Sequence, residues 1–127
     1  VGMTDDILKL MDETHRWQQR LSHVEIKEVM LARALIANYH VLCIHRPTAG
    51  FSDKASENVM SLLREFVTNK GVGQDMDPVK LEQRRPRTCI ITSLKRVGVE
   101  VVDEVFFVGG NNIDKWDRTK VSSDMLE

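Results

Sequence analysis

No apolar run in this chain approaches the roughly 20 residues of a membrane span, and the opening "VGMTDDILKL" lacks the basic and apolar regions of a signal peptide. Cysteine is scarce: only Cys43 and Cys89 occur, each inside a short apolar run. That suits buried thiols in a reducing compartment better than a disulfide framework. Neither sign of charge dominates, with 18 Lys plus Arg against 19 Asp plus Glu and a formal charge of -1. No global field therefore selects nucleic acid or an anionic membrane. The phosphate-cradling pattern G-x-x-x-x-G-K-[ST] does not occur, since Gly71 and Gly73 lead into Gln74 and the Gly109-Gly110 pair leads into asparagines. Internal repeats and low-complexity tracts are absent as well. A soluble, cytosolic piece is expected.

What is present is enough for one ordinary core: 127 residues with 42% hydrophobic content. We expect one domain with four parts: residues 1–39, 40–70, 71–87 and 88–127. Thr4, Asp5 and Asp6 open a helix whose apolar face is Ile7, Leu8, Met11 and Trp17, ending near Arg20. Ser22 precedes a second helical pattern and Glu25 follows three residues later, which is the spacing of a capping box. "HVLCI", from His40 to Ile44, is a strand covered on both faces. After the Pro47 to Gly50 turn, Ser52 caps a helix with Ala55, Val59, Leu62, Leu63, Phe66 and Val67 in helical period, reaching about Asn69. Lys70 to Arg87 lacks periodicity and is expected to be a mobile surface connection. "TCIITS" from Thr88 to Ser93 is a second buried strand, "LKRVGVEVVD" a short crossover and "EVFFVGG" a third strand with a glycine turn. A returning strand and a terminal helix are expected beyond it. Strands separated by long crossovers pair in parallel, so the class is α/β with helices flanking the sheet.

The order "RLSHVEIKEVMLARALIANYHVLCIHRPTAGFSD", a helix, "RTCIITS" and "VVDEVFFVGGN" resembles the second half of an ABC-type nucleotide-binding domain, over roughly residues 5 to 112. Leu21, Ser22, the run Leu31 to Leu35, Pro47, Thr48 and Thr92 carry the resemblance. It implies a mostly parallel sheet of P-loop NTPase (RecA-like) type with its phosphate-loop half absent.

The departures from the family pattern concern chemistry. Where the family signature continues Gly-Gly-Gln, this chain has His23, Val24 and Glu25, whose side chains crowd a backbone meant to approach phosphate. Leu21, Ser22, His23, Val24 and Glu25 are the candidates for touching a partner domain's nucleotide. At the end of the first strand the family has two acids, one for magnesium and one for the attacking water; His45 and Arg46 stand there. An imidazole is a poor ligand for a hard cation, and a guanidinium accepts no proton near neutral pH. Arg46 is left to bind phosphate, to pair with an acid such as Asp53, or to face solvent. Ser52 occupies the D-loop acid's position and Ser93 that of the switch histidine. No catalytic residue and no metal ligand is expected.

Smaller features point to structure. His40, Cys43 and His45 are divided between strand faces by alternation, with no second pair at metal spacing, so no zinc site is expected. Arg84, Arg85 and Arg87 beside Pro86 read as a solvated loop, and His15 with Trp17 as helix packing. Cys43 and Cys89 are expected on neighbouring strands. The "TCIIT" edge is expected to be covered by another chain, by the tail from Asn111 to Glu127, or by a homodimer mate.

The resemblance thus implies a non-hydrolytic pseudo-ATPase, a structural or regulatory partner of an ATP-binding half, with access to the cytosolic face of a transporter. No cofactor belongs to the isolated chain; ATP and magnesium enter only with a partner half. The alternatives are an interaction module that no longer meets nucleotide, and a C-terminal fragment of a longer ABC ATPase. Nucleic acid is not an expected partner.

Overall fold

The computed structural model describes Asp5, residues 20–122 and Leu126. Apart from Asp5 and Arg20, the helix expected from Thr4 to Arg20 therefore lies outside the described residues, as do 123–125 and 127 of the segment where a terminal helix was expected.

Helix α1, His23–Ala37, begins at a reciprocal cap. The Glu25 N–H donates to Ser22 Oγ at 3.3 Å and the Ser22 N–H donates to Glu25 Oε2 at 2.7 Å, satisfying two orphan donors of the first turn. Asn38 ends the helix in the left-handed region, φ 51°, with its N–H on the Leu35 carbonyl at 3.2 Å. α1 carries apolar residues both on its buried side and on an outer one. Val29, Leu31 and Leu35 are buried, while Met30, Ile36 and Tyr39 just beyond it lie exposed.

Strand β1, Val41–His45, follows directly and leads through the Pro47 to Phe51 turn into α2, Asp53–Thr68. Ser52 caps α2 as expected, accepting from the Ala55 N–H at 3.3 Å. Ser56, Val59, Met60, Leu63 and Phe66 recur at helical spacing and are buried. Phe66 has no exposed surface at all, a burial that contributes about 2–3 kcal/mol. The core joins these residues to Leu31 and Leu35 of α1, Leu42 of β1 and Phe51 of the turn.

The segment expected to be a mobile connection instead holds a short helix, α3, Pro78–Gln83. Asp77 accepts from the Val79 N–H at 2.9 Å and Pro78 sits in the first turn, where its missing donor costs nothing. Lys70 Nζ reaches the Leu81 carbonyl at 2.8 Å, and Arg84 donates to the carbonyls of Asn69, at 3.2 Å, and Asp75. Arg87 Nε donates to Asn38 Oδ1 at 2.9 Å. Two of the three clustered arginines thus clamp backbone and neighbours, where a solvated loop was expected. Periodicity missed α3 because six residues are too few to display it.

Strand β2, Thr88–Thr92, pairs with β1 in parallel, Val41 opposite Thr88 and His45 opposite Thr92. The expected parallel crossover is therefore present, and the class is mixed α/β. Two expectations need correction. First, among the described residues the sheet is covered on one face only: Leu42, Ile44, Cys89 and Ile91 meet the core, whereas Val41 and Ile90 are each 56% exposed on the other face beside Cys43 and His45. An apolar strand specifies that it can be buried, not that both of its faces find a layer. Second, the third strand does not join this sheet. After α4, Arg96–Glu100, β3, Val105–Gly109, turns at Gly110 and pairs antiparallel with β4, Asn112–Trp116. A two-residue glycine-containing turn closes a hairpin locally, with far less loop entropy than a return to β2. Phe107 stacks on Trp116 at 4.6 Å across it, and Arg118–Lys120 form a single 3-10 turn.

Candidate functional site

The C-terminal ends of parallel strands are where α/β folds usually present chemistry. Here that edge gathers His45, Arg46, Thr92, Ser93 and the Pro47 to Phe51 turn. His45 Nδ1 lies 2.8 Å from Thr92 Oγ1, and the Arg46 N–H is shared between Thr92 Oγ1 at 3.1 Å and the Thr92 carbonyl at 3.2 Å. Thr92 is thus the hub of the strand end, and the imidazole is engaged by a neighbouring hydroxyl. Arg46 itself sits at φ 47°, a left-handed conformation that costs a β-carbon residue of order 1 kcal/mol, and the paired N–H holds it there.

Asp53 does not pair with Arg46. Its carboxylate takes Lys95 Nζ at 3.6 Å, and Arg46 has no side-chain hydrogen bond or ion pair among the described residues, which leaves its guanidinium in solvent. The turn is clamped from two sides that the sequence did not suggest. Lys27 Nζ from α1 donates to the Ala49 carbonyl at 2.7 Å, and Lys95 Nζ donates to the Phe51 carbonyl at 3.2 Å and Ser56 Oγ at 3.4 Å. The only sequence signal was the charge of each lysine, because both partners are distant backbone.

The other candidate positions serve local structure. Ser52 caps α2, and Ser93 Oγ donates to the Lys95 carbonyl at 2.9 Å while accepting its N–H at 3.1 Å. A Cβ on Gly98 would stand 2.4 Å from that Ser93 Oγ, so the glycine is required for α4 to pass this close. Ser22 and Glu25 cap α1, Val24 packs on the core, Leu21 is half-buried and His23 is exposed. Hydrogen bonds from Ser22 hold the Glu25 carboxyl below its usual range, so it stays charged at neutral pH. Burial first, and the Glu25 charge second, push Glu28 up. The start of α1 is therefore a carboxylate-bearing surface and a poor phosphate seat.

Two open depressions lie nearby. One, of about 270 Å³, runs along Cys43, His45, Ile90 and Thr92 on the bare sheet face. The other, of about 570 Å³, follows Met30, Arg33, Ala34, Ile36 and Tyr39 on α1. Cys43 is exposed in the first, contrary to the expected burial, while Cys89 is half-buried on the opposite face with its thiol pushed up to about 11, by burial and then by Cys43. The register sets Cys89 beside Leu42, so the two thiols face opposite ways and stay free. No helix among the described residues is long and apolar enough to cross a membrane. No protein-family model, no curated protein and no solved structure matches this chain.

Proposed function

We propose that this chain is a non-hydrolytic module built like the C-terminal half of an ABC-type nucleotide-binding domain, of P-loop NTPase architecture, and that it acts as a structural or regulatory partner of an ATP-binding half. The observation that carries this reading is the strand end itself. A ring nitrogen engaged by Thr92 and a solvent-facing guanidinium occupy the two places where hydrolysis needs oxygen anions. The nearest turn carboxylate, Asp53, is held by Lys95. The parallel β1–β2 pair, joined through α2, supports the architectural half of the reading.

Calorimetric titration of the chain with ATP and magnesium tests it. No binding tighter than roughly millimolar is expected, an affinity worth about 4 kcal/mol. Submicromolar, magnesium-dependent binding overturns the reading, as does steady phosphate release that is lost on substituting His45 or Arg46.

A second reading, an interaction module that never meets nucleotide, is favoured by the Ser22–Glu25 cap and by the apolar outer face of α1. Ser22→Asp separates the two, because aspartate still caps the helix but repels phosphate. Assembly with an ATP-binding partner that survives this substitution supports the second reading.

A further inference from the structure

We infer that the outer edge of β2 pairs with the same edge of a second copy of this chain, antiparallel and centred on Ile90. The Thr88 N–H donates to the His40 carbonyl at 2.9 Å and the Thr92 carbonyl accepts the Arg46 N–H at 3.2 Å. Backbone groups of residues 88, 90 and 92 therefore point toward β1. Those of Cys89 and Ile91 point the other way, and no strand pairs with that side among the described residues. An unpaired edge is met most directly by another strand, since only a strand supplies donors and acceptors at matching spacing.

The sequence of this edge selects the partner. "TCIIT" carries no charge, no proline and no bulge, and so lacks the devices that protect edges from pairing. Run antiparallel against itself about Ile90, it sets Thr88 opposite Thr92 of the second copy, Ile90 opposite Ile90, and Cys89 opposite Ile91. Like meets like on the open face, and apolar meets apolar on the core face. Cys89 and Ile91 of each copy then exchange four backbone hydrogen bonds, while the two Ile90 side chains form the close, non-hydrogen-bonded pair on the axis. The contact is isologous and closes on itself, using up the outer β2 edge of both copies. The remaining edges are less suited. β4 carries Asp114 and Lys115, β3 ends in Gly109, and a β1 self-pair sets His45 against Val41. The tail through β4 pairs with β3, and among the described residues no strand pairs with the outer edge of β2. The inference needs no nucleotide and stands or falls apart from the proposed function.

Sedimentation equilibrium of the chain tests it, alongside Ile90→Lys and Val108→Lys. Both side chains are exposed, so each variant keeps the fold by circular dichroism. The wild type is expected to be a dimer. Ile90→Lys, which sets two like charges face to face, raises its dissociation constant at least about tenfold, and Val108→Lys leaves it unchanged. Independently, Ile90→Cys in a Cys43→Ser background, which removes the thiol beside position 90 in the register, brings two thiols to the non-hydrogen-bonded separation, about 4.5 Å between Cα atoms, so mild oxidation yields a covalent dimer that Cys43→Ser alone does not form. A wild type that sediments as a monomer at all concentrations overturns the inference. So does a dimer broken by Val108→Lys and not by Ile90→Lys, or a wild-type dimer linked through Cys43.

Discussion

Replacing Ser22 by alanine removes the acceptor for the Glu25 N–H, at 3.3 Å, and leaves the first turn of α1 with an orphan donor. N-cap losses of this kind cost about 1 kcal/mol, and the exposure of Ser22, which lets water compete, favours no more than that. For a domain of this size, a loss of about 1 kcal/mol lowers Tm by roughly 3–5 °C. Ser22→Asp restores a cap and should melt within a degree or so of the parent. The measurement is urea unfolding followed by far-UV circular dichroism, with Ser22→Ala shifting the midpoint at unchanged slope. The pH dependence provides a separate check. The Glu25 carboxyl is held low in the fold by Ser22, so its contribution is fully present above the ordinary carboxylate range and is lost as pH falls through that range to the lowered value. Glu25→Gln should flatten that part of the acid limb. Asp75, held low first by Lys80, and Asp117, held low first by Thr119, contribute in the same direction. If Ser22→Ala unfolds with the wild-type midpoint, the serine is not committed to its helix and stays free for other contacts.

Two further outcomes rest on single contacts. Gly98→Ala should cost about 1–3 kcal/mol by driving a methyl into Ser93, and Ser93→Gly in the same chain should recover most of it, read as paired chemical melts. With a thiol-reactive chromophore at pH 8, one fast thiol is expected. Cys43 is exposed, whereas Cys89, pushed up to about 11 and half-buried, holds a thiolate fraction of only about one in a thousand. Cys43→Ser should abolish the fast phase; its persistence would place the fast thiol at Cys89, and a wild type with no fast phase would show that the face bearing Cys43 is covered.

Much of the molecule was legible because its causes are local. The Ser22 and Ser52 caps, the helical period of Val59, Leu63 and Phe66, and the glycine turn after β3 each depend on residues a few positions apart. α3 escaped because one turn and a half leaves no period, and what holds it, Lys70 and Arg84 on carbonyls 11 and 15 residues away, leaves no local mark. His45 and Arg46 at the strand end were plain in the sequence, yet the hydroxyl that engages His45 lies 47 residues along the chain and meets it only through the parallel register.

The sequence by itself determined most of the segments that become helices and strands, and that the end of β1 carries a ring and a cation, His45 and Arg46. Those are matters of side-chain identity and short-range spacing. Tertiary structure alone decided which face of β1 and β2 is covered, which carbonyls Lys27 and Lys95 hold, and that the Cys89 and Ile91 amides look outward from an open edge. A continuously apolar strand is compatible with either arrangement until other layers take their places.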